Sequence, residues 1–276
     1  MATVTSSDDG AADFQVHVAL RSDQGTEKGQ NEDACGSHAE SPTHVLVVVA
    51  DGVSGEEGGE VASRMAVDVT VRAYRESPAS WGPAKRLYRA AQQANIEIYD
   101  RAVVVTELRR MSTTLTAIVV DGGTLHAAHV GDSRLYLIRS GTISQKTKDH
   151  TVAANRQRMG LISSKRAKDH PERSTLTRSL GRELIVAVDR ITFPLAGDDA
   201  LLVCTDGLYN VLDDEELREA GTGGNSTAVC DALIEAANKR GTPDNLSAAV
   251  VQVTGGALGS PSDTSWRRRL SRLLGR

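Results

Sequence analysis

Three aspartates stand at the ends of apolar runs. Asp51 closes Val-Val-Val-Ala and is followed by Gly52; Asp206 closes Leu-Leu-Val-Cys-Thr and is followed by Gly207; Asp244 directly precedes Asn245 and the apolar run from Leu246. Two further acidic positions join them: the pair Glu32-Asp33, read as lying in the loop after the first strand, and Asp132 in Val130-Gly131-Asp132-Ser133-Arg134. Carboxylates gathered at one sheet edge repel each other unless a cation sits among them. An oxygen-only ligand set without His or Cys favours Mg²⁺ or Mn²⁺ over zinc. A glycine after a ligating aspartate lets a backbone carbonyl approach an ion or its water. The ordinary reading of one Asp-Gly is a turn. Three or more in this setting weigh against turns alone, provided the fold brings them together.

The elements that must do so are legible in outline. Phe14, Val16, Val18 and Leu20 alternate as in a half-buried strand, and His44 to Ala50 is a short β-branched run suited to a central strand. From about Glu57 to Arg75, Val61, Met65, Val69 and Ala73 recur at helical spacing, and a second helix is expected from Pro83 to Val103 with the proline in its first turn. Strands are expected over 113–120, 124–130 and 133–139, joined by an Asp121-Gly122-Gly123 hairpin turn and ended by Ser140-Gly141. This reads as a meander, which excludes an alternating parallel βαβ sheet. Residues 147–182 are dense in charge and poor in periodicity, an irregular or partly helical insertion of the kind that is usually functional. Strands over 184–193 and 200–205, a helix over 226–239 and a last strand over 246–253 complete the pattern.

The 276 residues carry 32 Lys+Arg against 36 Asp+Glu, a net charge of -4, which argues against a general nucleic-acid binder. Hydrophobic residues at 39% and charged residues at 25% are ordinary for a soluble globular protein, and no apolar run is long enough for a membrane span. With two Trp and two Phe, the core must be built from Val, Leu, Ile and Ala. Cys35, Cys204 and Cys230 make neither a disulfide scaffold nor a cysteine zinc site, and Cys204 is read as a small buried hydrophobe. The first residues lack the basic and apolar regions of a secretion signal, so a cytoplasmic protein is expected. The chain divides into a disordered leader (1–12), a globular domain (13–254), and a Gly/Ser/Pro-rich linker with a basic tail (255–276). In that tail Trp266, Leu270, Leu273 and Leu274 share one helical face, with arginines mostly elsewhere. It is read as an amphipathic contact for an anionic membrane surface or a partner, against a frayed end.

A series of short motifs carries a resemblance. Asn31-Glu32-Asp33-Ala34, Asp51-Gly52-Val53-Ser54-Gly55 and Gly59-Glu60-Val61-Ala62-Ser63 come first. Ser112-Thr113-Thr114-Leu115, Val130-Gly131-Asp132-Ser133-Arg134, Lys148-Asp149-His150-Thr151 and Arg178-Ser179-Leu180-Gly181 follow. Cys204-Thr205-Asp206-Gly207-Leu208 and Asp244-Asn245-Leu246-Ser247 close the series. In this order, over about residues 21 to 253, the chain resembles the bacterial, single-domain members of the metal-dependent protein phosphatases of type 2C. The resemblance implies an α+β fold: a four-layer α-β-β-α sandwich of two antiparallel sheets flanked by helix pairs. It implies hydrolysis of phosphoserine and phosphothreonine in proteins, with two Mn²⁺ or Mg²⁺ ions per site and a cognate Ser/Thr protein kinase to oppose; a monomer is expected.

It also implies residue roles. Asp51 would bridge two ions, Asp206 and Asp244 would complete the first site, and Asp33, with Glu32 beside it, and the Gly52 carbonyl would serve the second. Which of Glu32 and Asp33 ligates directly stays open, with bacterial members favouring Asp33. A water between the ions would attack phosphorus in line, without a phosphoenzyme. Asp132 is read as a ligand of a third, weaker ion, against a turn aspartate before a strand; Asn245 as orienting Asp244; Asn31 as fixing its loop; Arg134, His129 and His170 as structural. Lys28 stands where relatives usually carry a phosphate-gripping arginine, and lacks that residue's planar fork. Ser54 departs from the usual Gly and Glu56 from the usual His; the latter leaves the leaving-group proton donor open between a metal-bound water and, less favoured, His150. The basic residues of the 147–182 flap and its edge are read equally as phosphopeptide contacts or as solvated surface. Two rivals are a pseudophosphatase that binds phosphoproteins without turnover, and a phosphatase specialised for anti-sigma-factor antagonists.

Overall fold

The computed structural model describes residues 14–53, 57–221 and 224–255. The expected leader, the departures at Ser54 and Glu56, and the amphipathic tail lie outside the described residues. Ten strands run in chain order: β1 (Gln15–Asp23), β2 (Asp33–Ser41), β3 (His44–Asp51), β4 (Leu115–Asp121), β5 (Thr124–Val130), β6 (Arg134–Arg139), β7 (Thr142–Gln145), β8 (Asp189–Pro194), β9 (Ala200–Cys204) and β10 (Leu246–Thr254). The helices are α1 (Gly59–Glu76), α2 (Pro83–Val104), α3 (Val152–Arg158), α4 (Ser164–Lys168), α5 (Asp206–Tyr209), α6 (Asp214–Gly221) and α7 (Ser226–Lys239). The strands form two five-stranded antiparallel sheets, ordered β1-β10-β9-β6-β7 and β2-β3-β4-β5-β8.

The apolar runs are continuous because both faces of each central strand are covered. On β3, Val45, Val47 and Val49 point into the core between the sheets, while Leu46, Val48 and Ala50 pack under α1 and α2. On β10, Ala249, Val251 and Val253 join the inter-sheet core, while Leu246, Ala248 and Val250 meet the layer of α5, α6 and α7. Three apolar layers between four structural layers are the expected α-β-β-α sandwich. Each fully buried Val or Leu contributes about 1.5–3 kcal/mol of transfer free energy. Cys204 is buried among Tyr136, Leu202 and Leu208, as a small hydrophobe.

Four expectations are corrected. Asp33 is not in a loop: it begins β2, a half-exposed strand whose run Asp-Ala-Cys-Gly-Ser-His-Ala-Glu-Ser carries few β-branched residues to betray it. The strands over 115–139 are not one meander, since β6 crosses to the other sheet and pairs with β9. Ser140-Gly141 does not end the run but turns it into a hairpin with β7. The strand expected from Leu184 starts at Asp189, because side-chain amides of α2 take the preceding carbonyls: Asn95 donates to Glu183 and Leu184, and Gln92 to Val186.

Candidate metal centre and active site

Antiparallel pairing places the end of one strand beside the start of its neighbour, and that gathers the acidic residues as one pair in each sheet. Asp51, last in β3, is the register partner of Asp33, first in β2. Asp206 follows β9 and Asp244 precedes β10, which is paired with β9. The two sheets are joined at this edge by the Thr205 hydroxyl, which donates to Asp33 Oδ2 at 2.8 Å, while Thr205 Oγ1 accepts from the Ser247 N–H at 2.9 Å. The base of the site is rigid. Thr114 donates its N–H to the Asp51 carbonyl at 2.9 Å and accepts the Asp51 N–H on its hydroxyl at 3.0 Å. Thr113 donates its hydroxyl to that same carbonyl at 2.8 Å.

The glycines of the two Asp-Gly motifs serve close backbone approach. A Cβ on Gly52 would sit 2.4 Å from the Gly59 carbonyl oxygen and 2.7 Å from that of Glu32; one on Gly207 would sit 2.0 Å from that of Asn245. Each glycine lets the loop bearing one acidic residue close onto the element bearing another.

The electrostatics are those of carboxylates crowded together. Burial raises Asp33, the bonded Thr205 hydroxyl and the nearby Ser247 hydroxyl lower it, and the charges of Asp206 and Asp244 raise it again, to about 7. Asp51 is pushed well above the carboxylate range by burial and then by Asp33, Asp206, Asp132 and Asp244. Asp206 rises to about 6, through burial first and Asp244 next, against a hydrogen bond from Asn210 Nδ2 to its Oδ2 at 3.1 Å. Asp132 is raised by burial and by Asp206 and Asp149, with Arg134 opposing. Mutual interaction of this kind shows that the five aspartates occupy one electrostatic cluster.

The cluster suits a hard divalent cation. Its donors are all oxygen, and Asp33 Oδ1 is buried without a hydrogen-bond partner. Among the described residues no three His, Cys, Asp or Glu side chains are drawn closely enough to enclose an ion as they stand. Glu32 faces a different neighbour: a Cβ on Gly59, the first residue of α1, would meet its Oε1 at 2.9 Å. Its carboxylate therefore packs at the α1 N-terminus while Asp33 faces Asp206 and Asp244.

The remaining expected residues fall around this cluster. Lys28 Nζ lies 3.0 Å from Asp244 Oδ1. Asn245 acts chiefly on the loop before β2: its Nδ2 donates to the carbonyls of Gln24 and Gln30 at 2.8 and 3.0 Å, and its Oδ1 accepts from Glu32 N–H at 2.8 Å. Its backbone N–H donates to Asp244 Oδ1 at 2.9 Å. Asn31 fixes the same loop, bonding Ser22 and the Asp33 N–H. Arg134 pairs with Asp149 at 2.7 Å and lies 3.6 Å from the centre of the Tyr209 ring, whose hydroxyl donates to the Asp132 carbonyl at 3.1 Å. His150 accepts the Gly131 N–H on Nδ1, and its Nε2 lies 3.3 Å from Asp189; its ring is buried and serves the fold. His129 bonds Thr116 and the Lys148 carbonyl, and burial pushes it down to about 4. His170 bonds Arg156 and the Glu172 N–H within the flap, where Arg156 also pairs with Glu172 at 3.0 Å. Thr205, named only within its motif, and Asn210 and Tyr209 carry roles that the sequence did not assign. The available signal was position, since Thr205 precedes Asp206 and the other two follow it within one helical turn.

A family model described as protein phosphatase 2C matches residues 26–251. A serine/threonine phosphatase, stp, of Listeria welshimeri is 34% identical over 246 residues, covering 86% of this chain and 96% of that protein. The crystal structure of the Mycobacterium tuberculosis serine/threonine phosphatase PstP/Ppp superposes with a TM-score of 0.79 at 32% identity, over 87% of this chain and 99% of that one. A second crystal structure, the PstP catalytic domain in complex with two manganese ions, gives a TM-score of 0.78 at 30% identity, over 88% of this chain and all of that one (100%).

Proposed function

The chain belongs to the protein phosphatase 2C family, and from that premise we propose how its own residues carry the reaction and where it acts. It is a metal-dependent protein serine/threonine phosphatase using Mn²⁺ or Mg²⁺ at a binuclear centre. The pseudophosphatase alternative is unsupported, and no observation favours the specialised anti-sigma-factor reading. We assign Asp51 as the ligand common to two ions, Asp206 and Asp244 to the first, and Asp33 with the Gly52 carbonyl to the second. The single observation behind this is the mutual electrostatic loading of Asp33, Asp51 and Asp206, with Asp33 Oδ1 lacking any other partner. Glu32, at the α1 N-terminus, is assigned to shaping the loop rather than to direct ligation. When bound, the ions supply a water-derived nucleophile at neutral pH and offset charge on the phosphoryl oxygens.

The protein's own groups then bind and orient. Lys28 offers its ammonium to a substrate phosphate as a point charge. Asn245 and Asn31 hold the loop that carries Lys28 and leads into Asp33 at the start of β2, and Asn210 holds Asp206 Oδ2 in place. Asp132, fixed through Tyr209, is assigned to a third, weaker ion. Substrates are phosphoserine and phosphothreonine proteins, with a cognate Ser/Thr kinase as the opposing enzyme, the cytoplasm as the compartment and a monomer as the working unit. The catalytic unit is assigned to residues 13–254. No helix among the described residues is long and apolar enough to cross a membrane, and the basic sequence of 255–276 makes an anionic surface or a protein the candidate for peripheral attachment. The test is hydrolysis of a phosphothreonine peptide with added Mn²⁺. Turnover abolished both by EDTA and by Asp206→Ala is expected; turnover that persists in EDTA would refute the metal-centre assignment.

A further inference from the structure

Lys28 sits within the candidate metal centre before any substrate is considered. Its Nζ makes a 3.0 Å ion pair with Asp244 Oδ1, and Glu32, Asp51 and Asp206 are close enough for their charges to act on it or its charge on them. The pair is half-buried, with side-chain exposures of 29% and 38%. We propose that Lys28 is a built-in counter-ion of the carboxylate cluster: seated on Asp244 when no divalent ion is bound, driven off it when ions load, and only then available to a substrate phosphate. This rests on the metal-centre reading above.

Two features make the exchange feasible. First, the backbone around Lys28 is pinned while its side chain is not enclosed. The Lys28 carbonyl accepts from Gln24 Nε2, and Asn245 holds the carbonyls of Gln24 and Gln30 on either side. Movement is thus confined to a four-carbon stem that changes rotamer readily. Second, charge decides the direction. A divalent ion attracts the Asp244 carboxylate with twice the charge of an ammonium, and it repels that ammonium at the same short range. Lysine and metal therefore compete for one oxygen, Asp244 Oδ1, and the partly exposed lysine is the one displaced. An arginine here would hold the carboxylate through two parallel bonds and resist displacement more strongly.

The consequence is measurable without turnover. Removing the ammonium leaves the unloaded cluster less well compensated and the loaded one unaffected, so metal binds more tightly. Calorimetric titration of the full chain with Mn²⁺ at fixed pH and ionic strength is expected to give Lys28→Met a Kd about two- to tenfold lower than the parent, the range of a partly exposed ion pair. Lys28→Arg, which keeps the charge, is expected to show parent-like or weaker binding. In EDTA the Met variant should melt below the parent, and in saturating Mn²⁺ the gap should close. An unchanged or higher Kd for Lys28→Met, or a melting gap equal in both conditions, would overturn the counter-ion role. Absence of Mn²⁺ uptake by the parent would instead bring down the metal-centre reading on which it stands.

Discussion

Asp33 has two oxygens with different fates: Oδ2 takes the Thr205 hydroxyl, and Oδ1 is buried without a partner. Such a group is costly as an anion unless a cation reaches it, and this is why burial first, and its acidic neighbours after, lift it to about 7, with Asp206 at about 6. For an acid whose folded-state pKa lies above its unfolded value, the stabilising contribution is fully present below about pH 4 and is lost as pH rises through the folded value. Without metal, therefore, these two residues should lower the melting temperature by several degrees between pH 5 and 8. His129 acts in the opposite sense. Buried neutral with a pKa near 4, it supports the fold above its unfolded value and withdraws that support as pH falls through 4. Metal-free stability should accordingly be squeezed from both sides, while Mn²⁺ affinity climbs with pH through 6 to 7 as the carboxylates surrender protons. Calorimetric scans in EDTA and Mn²⁺ titrations across this range read both quantities. A flat melting profile in EDTA together with pH-independent Mn²⁺ affinity would contradict the assignment.

At the scale of elements, the loop between β1 and β2 is anchored to the segment before β10: Thr26 bonds the Thr242 carbonyl, Lys28 pairs with Asp244, and Asn245 makes the most contacts. Asn245, just before β10, satisfies two carbonyls and one N–H of that loop. Replacing it by alanine should cost about 1–3 kcal/mol, the sum of a few partly buried bonds. The denaturation midpoint should fall with little change in slope, and Mn²⁺ affinity should weaken because the loop leads directly into Asp33 at the start of β2 and sets its position. Asn245→Asp keeps the acceptor and loses both donors, so it should fall between the two; wild-type affinity in the alanine variant would exclude the loop as the positioning element. This clip also shows what was legible in the sequence. The apolar runs of β3, β4, β9 and β10 and the periodic faces of α1, α2 and α7 announce themselves, because central strands and packed helices must be apolar in a fixed rhythm. Asp51, Asp206 and Asp244 are visible for the same reason, since each marks where such a run stops. β2 and β7 are not, being half-exposed edge strands whose residues, Cys35 and Ile143 apart, are polar, alanine or glycine. The crossing of β6 to the other sheet leaves no local trace, because the register partner that draws it there, β9, lies some sixty residues further on. Lys28 on Asp244, and Asn245 on Gln24 and Gln30, are likewise contacts between distant segments that no spacing encodes.

For the molecule as a whole, the decisive feature is that the proposed ligands come from both sheets. Asp33 and Asp51 belong to β2 and β3; Asp206 and Asp244 flank β9 and β10. Away from this edge the sheets are held by a dry core of Val, Leu, Ile and Ala. At the edge itself, crowded carboxylates push the layers apart, opposed by the Thr205–Asp33 bond and the Lys28–Asp244 pair. Ions shared between the sheets would turn that repulsive edge into a cross-link that exists only in the folded state. A ligand at a hundred times its Kd stabilises the folded state by about 2.7 kcal/mol. In a domain of roughly 150–250 residues each kcal/mol raises the melting temperature by about 2–4 °C. Saturating Mn²⁺ should therefore raise the melting temperature by about 5–11 °C. Asp51→Asn separates the two contributions. Removing a buried acid that must either ionise among other carboxylates or hold its proton relieves that cost, so the variant in EDTA should melt at or above the parent; removing the shared ligand abolishes most of the Mn²⁺-induced rise. A variant that loses stability in EDTA yet keeps the full metal shift would mean that Asp51 supports the strand end and that the ions are held without it.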